Sequence, residues 1–90
     1  MIIGGGTAGL TVAARLAKAK VDDVAVVEPS EKHYYQPLWT LVGGGLASAG
    51  STLRPTASVM PRGVSWVRDA AVGVDPEERT VLLDSGNELT

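Results

Sequence analysis

Two short apolar runs, with a helical pattern between them, dominate the first third of the chain. Residues 1–3 and 24–27 are continuously apolar, which is typical of parallel strands covered on both faces. Between them, apolar residues recur at three- and four-residue spacing, and this predicts an amphipathic helix over residues 8–20. The apolar positions of this pattern are Leu10, Ala13, Ala14, Ala17 and Val21. The order of these elements predicts a β-α-β unit.

The rest of the chain divides into an irregular part and a β-rich part. Residues 30–63 predict mostly irregular structure, with a short helix over 37–42 and flexible loop over 48–52. Beyond them, the β-branched and apolar stretches 64–67, 70–74 and 80–83 predict strands separated by turns, and a further strand could begin at Glu88. The predicted fold class is α/β: a partial Rossmann-like β-α-β unit followed by a C-terminal antiparallel β-meander.

Composition limits the partners of the protein. The 90 residues fit one domain at most, and both ends look cut, because the first strand is short and the last turn leads into nothing. The net charge of −2 gives no electrostatic reason to expect nucleic acid. There are no cysteines, so disulfides, zinc thiolates and thiol redox chemistry are excluded from this stretch, and we expect no metal site. Neither a signal peptide nor a membrane-spanning run is evident.

The glycine-rich sequence after the first predicted strand carries the candidate chemistry. Gly4, Gly6 and Gly9 fit the G-x-G-x-x-G pattern, which is meaningful where it follows a strand and opens a helix. We expect Gly4 to allow a tight turn, Gly6 to let a pyrophosphate approach the backbone, and Gly9 to let the helix lie close to the sheet. The N–H groups around Gly6, Thr7 and Ala8 would then face the phosphates.

An acidic residue at the end of the second predicted strand supports a dinucleotide site. Glu28 lies 19 positions after Gly9, close to the spacing of the acid that holds the adenosine ribose. Its charge would repel a 2′-phosphate, which disfavours NADP. The alternative to a dinucleotide site is a glycine-rich turn followed by an unrelated surface glutamate. The dinucleotide site is favoured because the turn, the helix, the second strand and the acid all occur in the order that such a site requires. NAD and FAD both remain possible, and the irregular segment and the β-meander that follow favour FAD.

A longer string then resembles a known family. Residues 26–43 read VVEPSEKHYYQPLWTLVG, residues 54–59 read RPTASV and residues 61–66 read PRGVSW. With these motifs the chain closely resembles the amino-terminal FAD domain of the sulfide:quinone oxidoreductase family, particularly its mitochondrial type and bacterial relatives. The resemblance extends over nearly the whole chain and implies that residues 1–90 are the N-terminal part of an FAD/NAD(P)-binding domain, truncated.

The resemblance implies a cofactor, substrates and site residues. Members of this family oxidise sulfide through a cysteine pair, pass two electrons to FAD and reduce a membrane quinone. They would be peripheral on a bacterial cytoplasmic or mitochondrial inner membrane, through C-terminal regions outside this chain. No catalytic residue falls within the chain, which alone should be inactive. The implied FAD-binding residues are Gly4, Gly6, Thr7, Ala8 and Gly9 at the pyrophosphate, Glu28 at the ribose, Gln36 in the following loop, and the backbone of Ala71 at the adenine.

Other conspicuous residues are interpreted as structural, and other functions remain open. His33 could carry protons near the flavin, and three aromatic residues could line its pocket, but structural roles are favoured for all four. Arg54 is interpreted as a surface or domain-contact residue and Trp66 as core. The three aromatic residues are Tyr34, Tyr35 and Trp39.

The alternative functions are an NADH:quinone oxidoreductase, a flavocytochrome sulfide dehydrogenase, and a non-catalytic dinucleotide-binding module or a fragment without a stable fold.

Overall fold

The computed structural model describes all residues 1–90 and contains eight strands and three α-helices. Two single-turn 3₁₀ helices, Gln36–Leu38 and Ala49–Thr52, lie in the connection between β3 and β4. The strands are β1 (Ile2–Ile3), β2 (Ala25–Val27), β3 (Lys32–Tyr34), β4 (Leu53–Pro55), β5 (Ser65–Val67), β6 (Ala71–Asp75), β7 (Thr80–Leu83) and β8 (Glu88–Leu89). The α-helices are α1 (Thr7–Lys18), α2 (Trp39–Gly43) and α3 (Thr56–Val59).

A three-stranded parallel sheet forms the centre of the fold, in the order β1-β2-β5. Ile2 pairs with Val26, which pairs in turn with Trp66. Val26 and Val27 are almost fully buried, as expected for an apolar run in a central parallel strand. The predicted β-α-β unit and its partial Rossmann-like α/β architecture are therefore confirmed.

Helix α1 covers the sheet with its apolar face and ends two residues earlier than predicted. Leu10 and Ala13 are its buried residues. After the C-cap Ala19, Lys20 has φ +59°, and the N–H of Val21 donates to the carbonyl of Leu16 at 3.0 Å. This is a Schellman motif, in which a left-handed residue reverses the chain and closes the last turn. The helix therefore ends through this motif, before Asp22 and Asp23.

Residues 30–63 contain more regular structure than the sequence predicted. The strands β3 and β4 form an antiparallel ladder in which His33 pairs with Arg54. The predicted short helix is present as the 3₁₀ turn and α2. The predicted flexible loop over 48–52 is wrong, because a 3₁₀ helix forms there and its last residue, Thr52, is buried. A second buried threonine, Thr56, donates its hydroxyl proton to the Ser30 carbonyl at 2.9 Å.

The C-terminal part is an antiparallel meander in the order β6-β7-β8, as predicted. A register shift between Ala71 and Gly73 marks a β-bulge in β6. Val81 and Leu83 of β7 pack against Val27 of the central sheet and form a small apolar core with it. The meander is thereby attached to the sheet at the strand that leads into Glu28.

Candidate functional site

The turn between β1 and α1 needs glycine at its first position. Gly4 has φ +102°, a backbone conformation that only glycine adopts readily. Its N–H donates to the Val27 carbonyl at 2.9 Å, so the turn starts hydrogen-bonded to the end of β2. We name residues 4–6 the glycine turn. Its place at the carboxyl ends of two parallel strands is where open α/β sheets bind ligands.

The start of α1 presents backbone donors with no acceptor in the chain. The N-cap Gly6 has extended backbone and no side-chain cap, and the first helical turn contains no acidic residue. The N–H groups of Gly6, Thr7, Ala8 and Gly9 make no hydrogen bond within the chain. Unpaired N–H groups at a helix start carry partial positive charge and favour an anion there.

Helix α1 approaches the glycine turn so closely that Gly9 has no room for a side chain. A Cβ added at Gly9 would overlap the carbonyl oxygen of Gly4, and it would lie 3.0 Å from the carbonyl carbon of that residue. It would also lie 3.4 Å from Cγ2 of Ile2. The predicted packing role of Gly9 therefore has a direct geometric cause.

The acid predicted 19 positions after Gly9 lies beside the glycine turn. Oε2 of Glu28 accepts a hydrogen bond from the Gly5 N–H at 3.3 Å. The backbone of Glu28 is held at both polar groups, because its N–H donates to the Val67 carbonyl at 3.0 Å and its carbonyl accepts the Trp66 indole N–H at 2.9 Å. The carboxylate is thus fixed between β1 and β5, at the same edge of the sheet as the turn.

The middle glycine of the turn has a role that the motif does not indicate. Gly5 is buried, and an added Cβ would lie 2.8 Å from both Cβ and Cγ of Glu28. The acidic side chain therefore packs on the bare backbone of Gly5. The run of three consecutive glycines was the available signal, because the motif itself does not require glycine at position 5. The contact of Gly5 with Glu28 is visible only once β2 is placed beside β1.

An open cleft of about 730 Å³ lies in front of the helix start. Its lining residues are Gly6, Thr7, Ala8, Gln36 and Pro37. The structure thus brings Gln36 of the 3₁₀ turn to the helix start. Glu28 lies next to the turn rather than in this lining. Ala71 is not a lining residue either: it lies at the start of β6 and packs against the small core of Val27, Val81 and Leu83.

Two residues interpreted from the sequence as ordinary structural positions contact the site directly. His33 on β3 is buried, and its Nδ1 lies 3.2 Å from the Gly5 carbonyl oxygen. Trp66, predicted as core, is only half-buried, and it supplies the indole N–H that holds Glu28. Its exposed face carries the Arg68 guanidinium, 4.3 Å from the ring centroid. The sequence offers no clear signal for a buried histidine here, because the alternation of exposed Lys32, buried His33 and exposed Tyr34 is visible only in the structure.

The remaining candidate residues lie outside the glycine turn. Tyr34, Tyr35 and Trp39 are 40–47% exposed, and the rings of Tyr34 and Trp39 meet edge to face at 6.1 Å between centroids. Arg54 is exposed, as predicted, and donates to the carbonyl oxygens of Ser51 and Leu53.

The chain contains no cluster of three His, Cys, Asp or Glu residues that could hold a metal ion. None of its helices has both the length and the apolar character needed to cross a bilayer.

Comparison with known proteins gives a consistent family and fold. A family model described as pyridine nucleotide-disulphide oxidoreductase matches residues 1–90. Over 91 residues, the chain is 43% identical to the mitochondrial sulfide:quinone oxidoreductase of Mus musculus and 46% identical to that of Dictyostelium discoideum. It spans about 20% of the length of each relative.

A solved structure shares the fold. The sulfide:quinone oxidoreductase of Aquifex aeolicus matches with a TM-score of 0.75 at 20% sequence identity. The match covers 97% of this chain and 21% of that chain. The β-α-β unit, the intervening segment and the meander therefore occur together in a larger protein with the same backbone arrangement.

Proposed function

This chain belongs to the pyridine nucleotide-disulphide oxidoreductase family, and we propose that residues 1–90 bind the adenosine diphosphate half of FAD. One observation carries the proposal: the carboxylate of Glu28 accepts a hydrogen bond from Gly5, the residue immediately before the unpaired N–H groups that begin α1. A diphosphate and a ribose are adjacent groups of the same ligand. The two features therefore match neighbouring parts of one molecule.

The pyrophosphate would lie in the cleft at the start of α1. The N–H groups of Gly6, Thr7 and Ala8 would donate to its oxygens, with the positive end of the helix behind them. A Cβ built at Gly6 meets nothing within 4 Å, so the space that a side chain would take is open to a ligand. Gly4 and Gly9 shape this site through the tight turn and the close helix packing.

The ribose would be held by Glu28. Its Oε2 is engaged by Gly5, and its Oε1 makes no hydrogen bond in the chain. Oε1 would accept a ribose hydroxyl proton, whereas a 2′-phosphate would meet a negative charge at this point. The site therefore fits an adenosine with free ribose hydroxyls, as in FAD or NAD.

Gln36 and Ala71 are assigned supporting contacts. Gln36 lines the cleft beside the helix start, where its amide would hydrogen-bond the cofactor. The backbone of Ala71 would meet the adenine ring. This assignment comes from the family resemblance alone, because Ala71 lies outside the cleft lining.

The family resemblance favours FAD as the cofactor, and the names of the relatives favour sulfide and quinone as the substrates of the whole protein. FAD would supply two-electron transfer between them, while the residues of this chain bind and orient its adenosine diphosphate half. We propose, from the family resemblance, a peripheral location on a mitochondrial inner or bacterial cytoplasmic membrane; the two relatives are mitochondrial proteins, which supports the first of these. Residues 1–90 are the N-terminal part of the FAD/NAD(P)-binding domain in this proposal.

The cofactor assignment is tested on the full-length protein that contains residues 1–90. After denaturation, the released cofactor is identified by chromatography and by its absorption spectrum, and FAD is expected. Gly6→Val should abolish this binding because a branched side chain would occupy the place of the pyrophosphate. Gly50→Val is the control, since that exposed glycine also has open space around its added Cβ but lies outside the cleft. Release of NAD, or FAD retained equally by the Gly6→Val variant, would contradict the proposal.

The substrate assignment has its own assay. The flavin-loaded protein should reduce a water-soluble quinone when sulfide is added. NADH-dependent quinone reduction without a sulfide-dependent rate would instead assign the protein to the NADH:quinone oxidoreductases, and FAD binding by residues 1–90 would remain intact.

A further inference from the structure

The buried imidazole of His33 holds one specific peptide of the glycine turn. Its Nδ1 lies 3.2 Å from the carbonyl oxygen of Gly5, and the residue is 9% exposed. A carbonyl oxygen only accepts, so Nδ1 must carry the proton in this contact. The ladder between β3 and β4 holds His33 opposite Arg54, which places the imidazole from a separate sheet.

This contact sets the direction of a donor in the cleft. The Gly5 carbonyl and the Gly6 N–H belong to one trans peptide, so they point in nearly opposite directions. The Gly5 carbonyl points toward His33, which donates a hydrogen bond to it. The Gly6 N–H is therefore directed away from His33, and Gly6 is one of the residues that line the cleft.

The turn needs such a restraint because it consists of three glycines. Glycine peptides rotate with little steric resistance, so the sequence alone does not fix their planes. Glu28 holds the preceding peptide through the Gly5 N–H, at 3.3 Å. Glu28 and His33 thus fix two consecutive peptides of the turn, one through its N–H and the other through its carbonyl.

We propose that His33 is a positioning residue of the phosphate site: its Nδ1–H fixes the Gly5–Gly6 peptide so that the Gly6 N–H is presented to the ligand. Donation to the carbonyl also polarises the peptide and strengthens its N–H as a donor. The inference rests on the proposed dinucleotide site. It assigns His33 a part in diphosphate binding, in place of proton transfer at the flavin or simple packing.

The test compares three substitutions of His33 in the complete expressed polypeptide, with ADP and adenosine as the probes. His33→Leu removes the donor, and His33→Gln places its amide where Nε2 was. His33→Asn places an amide N–H near the position of Nδ1. We expect ADP to bind about ten-fold more weakly to the Leu and Gln variants, as for a lost buried hydrogen bond. Adenosine affinity should stay unchanged, and Asn should restore most of the ADP affinity. Lys32→Gln is the matched control, because Lys32 is exposed on the same strand.

The outcomes separate this inference from the proposed function. If the unchanged protein does not bind ADP, the dinucleotide site itself is wrong, and the inference fails with it. If ADP binds but the Leu and Gln variants lose ADP and adenosine equally, or lose neither, His33 is only structural.

A measurement without any variant also decides: heteronuclear NMR at mildly alkaline pH should show the proton of the neutral His33 ring on Nδ1. A proton on Nε2 would overturn the inference.

Discussion

The close approach of α1 to the glycine turn gives the sharpest prediction about stability. In Gly9→Ala, the new methyl group would overlap the Gly4 carbonyl oxygen and lie 3.0 Å from its carbonyl carbon. Both are backbone atoms, so no side-chain rotation relieves the overlap. The helix start must move away from the turn, or the turn must change shape.

The magnitude follows from two opposing effects. Alanine in place of glycine within a helix gains about 1 kcal/mol of intrinsic propensity. Overpacking costs roughly 1–3 kcal/mol where neighbours can adjust, and the upper end applies here because the neighbour is backbone. The net loss is about 2 kcal/mol of unfolding free energy. Each kcal/mol corresponds to roughly 2–8 °C in Tm, depending on the size of the unit that unfolds, so we expect Tm to fall by about 4–16 °C.

The assay is thermal unfolding followed by circular dichroism, with Gly6→Ala as the matched control. Gly6 has φ −72° and nothing within 4 Å of an added Cβ, so its Tm should fall much less than that of Gly9→Ala, through the preference for glycine over alanine at an N-cap alone. The same control should bind ADP more weakly, because its methyl group projects into the open space at the helix start. Equal Tm values for the two variants would refute the packing role of Gly9.

Three further predictions concern residues outside the cleft. Lys20→Gly should raise the unfolding free energy by about 1 kcal/mol, because Lys20 holds the left-handed conformation at φ +59° that glycine adopts without cost; an unchanged denaturant midpoint would refute this. Thr56→Val should lower it by about 1 kcal/mol in the same assay, since the partly buried hydrogen bond from the Thr56 hydroxyl to the Ser30 carbonyl, 2.9 Å long, is lost, whereas a neutral result would mean that water replaces this donor at no cost. The nearby Ser85 hydroxyl and the backbone N–H of Ala70, which donates to the Asp69 carboxylate at 2.8 Å, hold the pKa of Asp69 below its ordinary value of 3.8. The stability that this carboxylate contributes should be complete above pH 3.8 and be lost as pH falls through its lower folded pKa. Asp69→Asn should flatten this part of the stability curve.

The local features of the site were predictable because each depends on neighbouring residues in the sequence. Three local patterns determine the β-α-β unit: the apolar run before Gly4, the helical spacing after it, and the second apolar run. Adjacent parallel strands end at the same edge of a sheet. The acid that follows β2 was therefore expected beside the glycine turn, where Glu28 lies.

The contacts that fix the turn were not predictable, because they connect distant segments. The ladder between β3 and β4 joins two three-residue strands across an intervening segment, and neither strand carries a strong β pattern. His33 reaches Gly5 only because this ladder forms. Trp66 reaches Glu28 only because β5 pairs with β2. A motif therefore locates the glycine turn and the proposed phosphate site, while the side chains that hold the turn become visible only in three dimensions.

The central claim is that the start of α1 and the adjacent carboxylate bind an adenosine diphosphate. Its most direct test is the titration of the isotope-labelled protein with ADP, followed through the backbone amide resonances. The account predicts saturable shifts that are largest at Gly6, Thr7 and Ala8, the residues whose N–H groups have no acceptor in the chain. Shifts concentrated on the meander, or no shifts at concentrations that saturate related nucleotide sites, would contradict it.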